Sequence, residues 1–243
     1  MIDKEKTASE TDIFLESIKS SPQIIKGVER YLGKLLAKPL LRTGISANMV
    51  TFLSFVISLM STPFFLVNER GYLILGAVIL NAGYILDYVD GEIARTMKET
   101  SKFGKWLDFT FDRILDGIVF TIIIIGVYLS TGNILMGFLG LITLVLRFLI
   151  DILRWSPRII DHEVQIVNEY TQTNFIKSQF LYTKANLYIL VLIFSLFGRM
   201  DLFIYFWAIY TVCFFMFFYF YLFRAFRKNP GYYDYGSKTK VFK

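Results

Sequence analysis

The sequence predicts an all-α polytopic membrane protein with six transmembrane helices and an N-terminal interfacial amphipathic helix. Three observations predict it. Hydrophobic residues fill 55% of the 243 positions and charged residues only 19%, below the roughly 25% of soluble globular chains, and mean hydropathy is +0.51. Apolar runs of near-spanning length recur along the chain. The basic residues fall almost wholly in alternate connections. The same composition excludes a disordered or collagen-like chain, and a single cysteine, Cys213, excludes a disulfide framework.

The elements follow in order. Residues 22–37 repeat Ile25, Val28, Leu32, Leu35 and Leu36 at helical spacing, with Lys26, Glu29, Arg30 and Lys34 between them. That is the pattern of a helix lying in the membrane interface. Ser21 and Pro22 suit its start and Pro39 its end. The first twenty residues lack an apolar core, so no cleavable signal peptide is expected. The first span, 49–67, is uncharged. The second, 72–86, runs on into charged sequence. The third, 115–129, follows a charged helical turn. The fourth, 134–153, is interrupted by Arg147 and Asp151. The fifth, 187–197, is short, and the sixth, 202–223, is dense in aromatics read as lipid-facing and interfacial. The stretch 156–185 is too polar to span and forms a long connection. The chain therefore divides into a cytoplasmic N-terminal segment (1–43), a six-helix transmembrane domain (44–228) and a cytoplasmic tail (229–243).

Six spans put both termini on one side. Eight Lys and Arg lie in the N-terminal segment, four between the second and third spans, four between the fourth and fifth, and six in the C-terminal segment. Only Arg70 and Arg199 lie opposite. The asymmetry orients the basic face, and both ends, toward the cytoplasm. The net charge of +6 is then a membrane-surface feature; no nucleic acid partner is expected.

The chemistry concentrates in 87–112, at the cytoplasmic ends of the second and third spans. Asp87 and Asp90 are three apart and Asp108 and Asp112 four apart, so each pair shares one helix face. Two helices joined by a short turn can point those faces at each other. Carboxylates converging near a bilayer edge are tolerable when they hold divalent cations. All-oxygen ligands suit Mg²⁺, Mn²⁺ or Ca²⁺, and the absence of nearby Cys or His argues against zinc. Gly91, Ala94 and Gly104 remove bulk beside the carboxylates. Arg95 is a fixed cation suited to phosphate. Together these residues describe a site that cleaves a pyrophosphate.

The spacing Asp87-x2-Asp90-Gly91-x2-Ala94-Arg95, then Gly104-x3-Asp108-x3-Asp112, resembles the signature of the CDP-alcohol phosphotransferases. The segment 46–51 (SANMVT) is similar to that family's Pro-Asn-x-x-Thr entry, with Ala47 where Pro is common. The resemblance implies attack by one alcohol on the β-phosphorus of a CDP-linked alcohol, with release of CMP. It implies Asp87, Asp90 and Asp108 as ligands of Mg²⁺ or Mn²⁺ in a two-metal site, with Asp112 at the second metal position or acting as general base. It implies Gly91, Ala94, Arg95 and Gly104 lining a CDP pocket, and a homodimer.

Arg147, Asp151 and Arg154 share one face of the fourth span. They make either an anion site for a phosphorylated acceptor alcohol or an internal Arg147–Asp151 ion pair. Asp116 continues the carboxylate stripe, to support the site or to pair with a basic group. Arg113 is expected to pair with a carboxylate. Arg158, Lys177 and Lys184 are read as loop charges in water or near headgroups, and His162 as a surface loop residue. Two rivals use the same acids. A Mg²⁺-dependent membrane prenyltransferase needs more spans than this chain supplies. A divalent-cation transporter needs acids deep in several spans.

Overall fold

The computed structural model describes residues 14–17, 24–160 and 182–228. Eight helices follow the short helical turn at 14–17: α1 (Ile24–Leu41), α2 (Ala47–Leu59), α3 (Thr62–Val67), α4 (Arg70–Thr96), α5 (Lys102–Thr131), α6 (Ile134–Ile160), α7 (Lys184–Phe197) and α8 (Met200–Lys228). No strand occurs among the described residues. The all-α class holds. The proposed cap at Ser21–Pro22, His162, Lys177 and the tail 229–243 lie outside the described residues.

By length and composition five helices can cross a membrane: Ala47–Val67, Arg70–Thr96, Lys102–Thr131, Ile134–Arg154 and Met200–Arg224. The first combines α2 and α3, which bend apart at Met60–Ser61 where Pro63 starts the second piece. The expected fifth span is the shorter apolar helix α7, Lys184–Phe197. At 1.5 Å per residue its fourteen residues rise about 21 Å, short of a ~30 Å hydrocarbon layer.

Helix α1 does not stop at Pro39. The proline sits inside the helix, which runs on to Leu41. Near a C-terminus, losing one N–H and its bond is less disruptive than in a helix interior. The packed face of α1 also differs from the apolar stripe read in the sequence. Glu29 and Ala37 are buried while Val28, Leu35 and Leu36 stay exposed. Gly33 lets α1 approach Tyr88 of α4.

Close packing sets the bundle. At Gly83 a Cβ would lie 2.9 Å from the Ser58 backbone nitrogen and 3.0 Å from the Ser54 carbonyl, so α2 and α4 meet backbone to backbone. α5 packs on α3 and α6, α7 on α4, and α8 on α6. Contrary to the lipid-facing reading of the sixth span, its aromatics are not all on the outer face. Phe203, Trp207 and Phe218 are fully buried, because spacings of four and eleven residues, about one and three helical turns, put them on one face of α8. Trp207 stacks on Phe120 at 4.5 Å between centroids. Their neighbours Phe206, Phe217 and Phe220 do stay exposed.

Candidate active site

Helices α4 and α5 are joined by the short turn 97–101, and the local sequence dictates it. Ser101 caps α5, its hydroxyl accepting from the Gly104 N–H at 2.9 Å. The two carboxylate-bearing faces meet as the spacing predicts. Asp87, Asp90 and Asp108 each bring one carboxylate oxygen within 4.8 Å of the others. Asp90 is buried, 6% exposed. Its Oδ2 accepts a hydrogen bond from Thr51 Oγ1 at 2.5 Å, which ties α2 to the cluster. The donor set is hard, anionic and convergent, and fits a divalent cation of the Mg²⁺ or Mn²⁺ type.

Beside the cluster lies a cavity of about 210 Å³. Gly91, Ala94, Arg95 and Gly104 line it together with Asp90 and Asp108, and α2 adds Ala47, Asn48 and Thr51. A Cβ at Gly104 would lie 3.0 Å from Asn48 Oδ1, so added bulk would intrude between α5 and the entry segment. Arg95 is exposed and pairs with Glu92 at 2.9 Å. The small residues, the arginine and the carboxylates thus share one concave surface. Asn48 and Thr51 belong to it as well. The sequence signal for them was the 46–51 segment.

Asp112 does not lie within the three-carboxylate cluster. Its Oδ1 accepts from the Lys184 ammonium. Lys184 is the first residue of α7, not a solvated loop charge. Its ammonium stands 5.1 Å from the Tyr84 ring centroid and 5.4 Å from that of Tyr188. The sequence hid it behind a polar connection, and only the fold brings it to Asp112.

Asp116, Arg147 and Asp151 form a buried network one turn deeper. Arg147 donates to Asp116 Oδ2 at 2.9 Å and to Asp151 Oδ2 at 2.7 Å. Of the two alternatives for Arg147, the structure shows pairing, with Asp116 as a second partner. Tyr188 donates to Asp116 Oδ1 at 2.9 Å. Arg113 reaches Asp151 at 3.4 Å and Asp116 at 4.0 Å. Arg154 donates to the Tyr182 carbonyl and stands 3.9 Å from Asp151. Burial pushes the Tyr182 phenol up to about 12, so it stays protonated where it accepts from Trp207 at 2.8 Å and bonds to Thr211 at 2.9 Å.

Comparison with known proteins reaches the same helices. An archaetidylinositol phosphate synthase from Pyrococcus horikoshii is 38% identical over 109 residues, 44% of this chain and 53% of that protein. One from Methanothermobacter thermautotrophicus is 34% identical over 102 residues, 42% of this chain and 46% of that protein. The matches thus cover about half the length of these relatives. The crystal structure of the phosphatidylinositol phosphate synthase of Mycobacterium tuberculosis with CDP-DAG bound shares the fold. Its TM-score is 0.59 at 21% identity, covering 76% of this chain and 89% of that one. The family model for CDP-alcohol phosphatidyltransferase matches residues 45–225, a stretch that holds the cluster, the cavity and the buried network, and the chain belongs to that family.

Proposed function

We propose that this protein transfers a substituted phosphate group from a CDP-linked lipid, such as CDP-diacylglycerol, to a second alcohol and releases CMP. The observation that carries the reading is the meeting of Asp87, Asp90 and Asp108 beside a cavity lined by Gly91, Ala94, Arg95 and Gly104. A divalent ion held by the three carboxylates supplies charge neutralisation for the diphosphate and the departing CMP. Gly91, Ala94 and Gly104 leave room for the nucleotide. Arg95 offers its guanidinium to phosphate oxygens. The acceptor hydroxyl forms a new bond to the β-phosphorus, and the bond from that phosphorus to the bridging oxygen breaks. The bridging oxygen leaves with CMP, and the hydroxyl proton passes to Asp112.

The acceptor we propose is a phosphorylated polyol of the inositol phosphate kind. Two of the relatives named above are archaetidylinositol phosphate synthases, and Lys184, Arg113, Arg147 and Arg154 gather around Asp112, Asp116 and Asp151. Arg154 faces the acceptor in this reading, and Arg147 stands behind it, holding Asp151. The site and both termini face the cytoplasm, on the strength of the basic asymmetry. Exposed Val28, Leu35 and Leu36 lay α1 in the interface, and the working form is a homodimer.

One assay tests the proposal. Purified protein receives Mg²⁺ or Mn²⁺, CDP-diacylglycerol and a panel of alcohols, with CMP as readout. CMP release that requires inositol phosphate is expected. Release with no acceptor on the panel would reject the transfer, and metal flux into vesicles without CMP would favour the transporter.

A further inference from the structure

Lys184 stands in a place that local helix physics disfavours. It is the first residue of α7, where the partial positive charge of the helix end repels a cation. Its side chain is only 11% exposed, and a buried ammonium needs compensation. Three groups compensate it: the Asp112 carboxylate and the faces of Tyr84 and Tyr188. The two rings and the carboxylate come from three different helices. Such local disagreement is what a functional position shows.

Asp112 also stands apart. The other three acids of the motif bring oxygens within 4.8 Å of one another, and Asp112 is not among them. One of its oxygens, Oδ1, already carries a cation. Beside this pair, a second, much smaller cavity of about 10 Å³ is lined by Asp87, Asp112 and Lys184. That space is about what a single water molecule needs.

We propose that Lys184 is a built-in counter-cation that occupies the Asp112 side of the site, so that the resting protein holds one divalent ion, at Asp87, Asp90 and Asp108, rather than two. This rests on the reading of the cluster as a metal site. Lys184 is a positioning residue here: it acts through Asp112 and decides what else Asp112 can bind.

The test counts Mn²⁺ on the purified protein without nucleotide, by equilibrium binding and by electron paramagnetic resonance. The wild type should bind one ion per chain with an uncoupled spectrum. Lys184→Met should bind two, and ions about 4 Å apart would broaden the signal by spin coupling. Lys184→Arg should stay at one, and Lys184→Met combined with Asp112→Asn should return to one. Two ions on the wild type would overturn the proposal without any variant, so it does not depend on Lys184→Met folding. One ion on a well-folded Lys184→Met would also overturn it, with the metal-site reading intact. No Mn²⁺ on the wild type would overturn both.

Discussion

Replacing Arg147 with Met removes the centre of the buried network while keeping an unbranched side chain of similar reach. Arg147 is 2% exposed and binds Asp116 at 2.9 Å and Asp151 at 2.7 Å. Removing one partner of a buried pair typically costs about 3–5 kcal/mol, because the remaining charge is left uncompensated. Two carboxylates lose their partner here, but Arg113 remains at 3.4 Å from one and 4.0 Å from the other. Tyr188 still donates to Asp116. The low end, about 3 kcal/mol, is therefore expected. At about 2–4 °C per kcal/mol for a chain of this size, Tm should fall by roughly 6–12 °C. Thermal unfolding in detergent, followed by size-exclusion of the surviving fraction, reads the shift. A triple variant that adds Asp116→Asn and Asp151→Asn should recover most of the loss, since a buried pair removed whole is often near neutral. The amide oxygen of Asn at 116 can still accept from Tyr188. A drop under about 2 °C for the single variant would refute the ion-pair reasoning, as would a triple variant no more stable than the single one.

Asp112→Asn should lower CMP release by at least about 10²-fold, the smaller end of what a positioned base contributes, with nucleotide binding largely kept; unchanged turnover would remove Asp112 from the proton's path. Thr51→Val deletes the hydroxyl on Asp90. A hydrogen bond to a charged group is worth about 1.5–3 kcal/mol, so Mn²⁺ affinity measured by calorimetry should change by roughly 10-fold or more, and an unchanged affinity would make the contact incidental. Gly83→Val forces side-chain carbon against the Ser54 and Ser58 backbone. Overpacking of this kind costs about 1–3 kcal/mol, and a Tm equal to wild type would contradict the close contact between α2 and α4.

Much of this molecule was legible in its sequence, and the reason is periodicity. The five long spans follow from mostly apolar runs whose length the bilayer sets. The aspartates follow from three- and four-residue spacings that put side chains on one face. What sequence could not give was the pairing between distant segments. Lys184 lies 72 residues from Asp112 and reads as an ordinary basic flank until α7 packs on α4. Tyr188 and Thr51 are unremarkable in composition, and each completes the coordination of an acid on another helix. The buried half of α8 was misread for a related reason. In a chain so rich in aromatics, lipid-facing and core-facing rings carry the same hydropathy, and only packing separates Trp207 from Phe206. The end of α1 departs from the proline rule, because Pro39 sits in its last turn and the helix runs on to Leu41.

The central claim is that these acids hold a cation that grips a nucleotide diphosphate. Equilibrium binding of CMP to the purified protein, with Mn²⁺ and again after chelation with EDTA, addresses it most directly. Binding that appears only with Mn²⁺, and that disappears in Asp90→Asn while the helix content stays the same, is the predicted result. Equal CMP binding with and without the metal, or in Asp90→Asn, would contradict it.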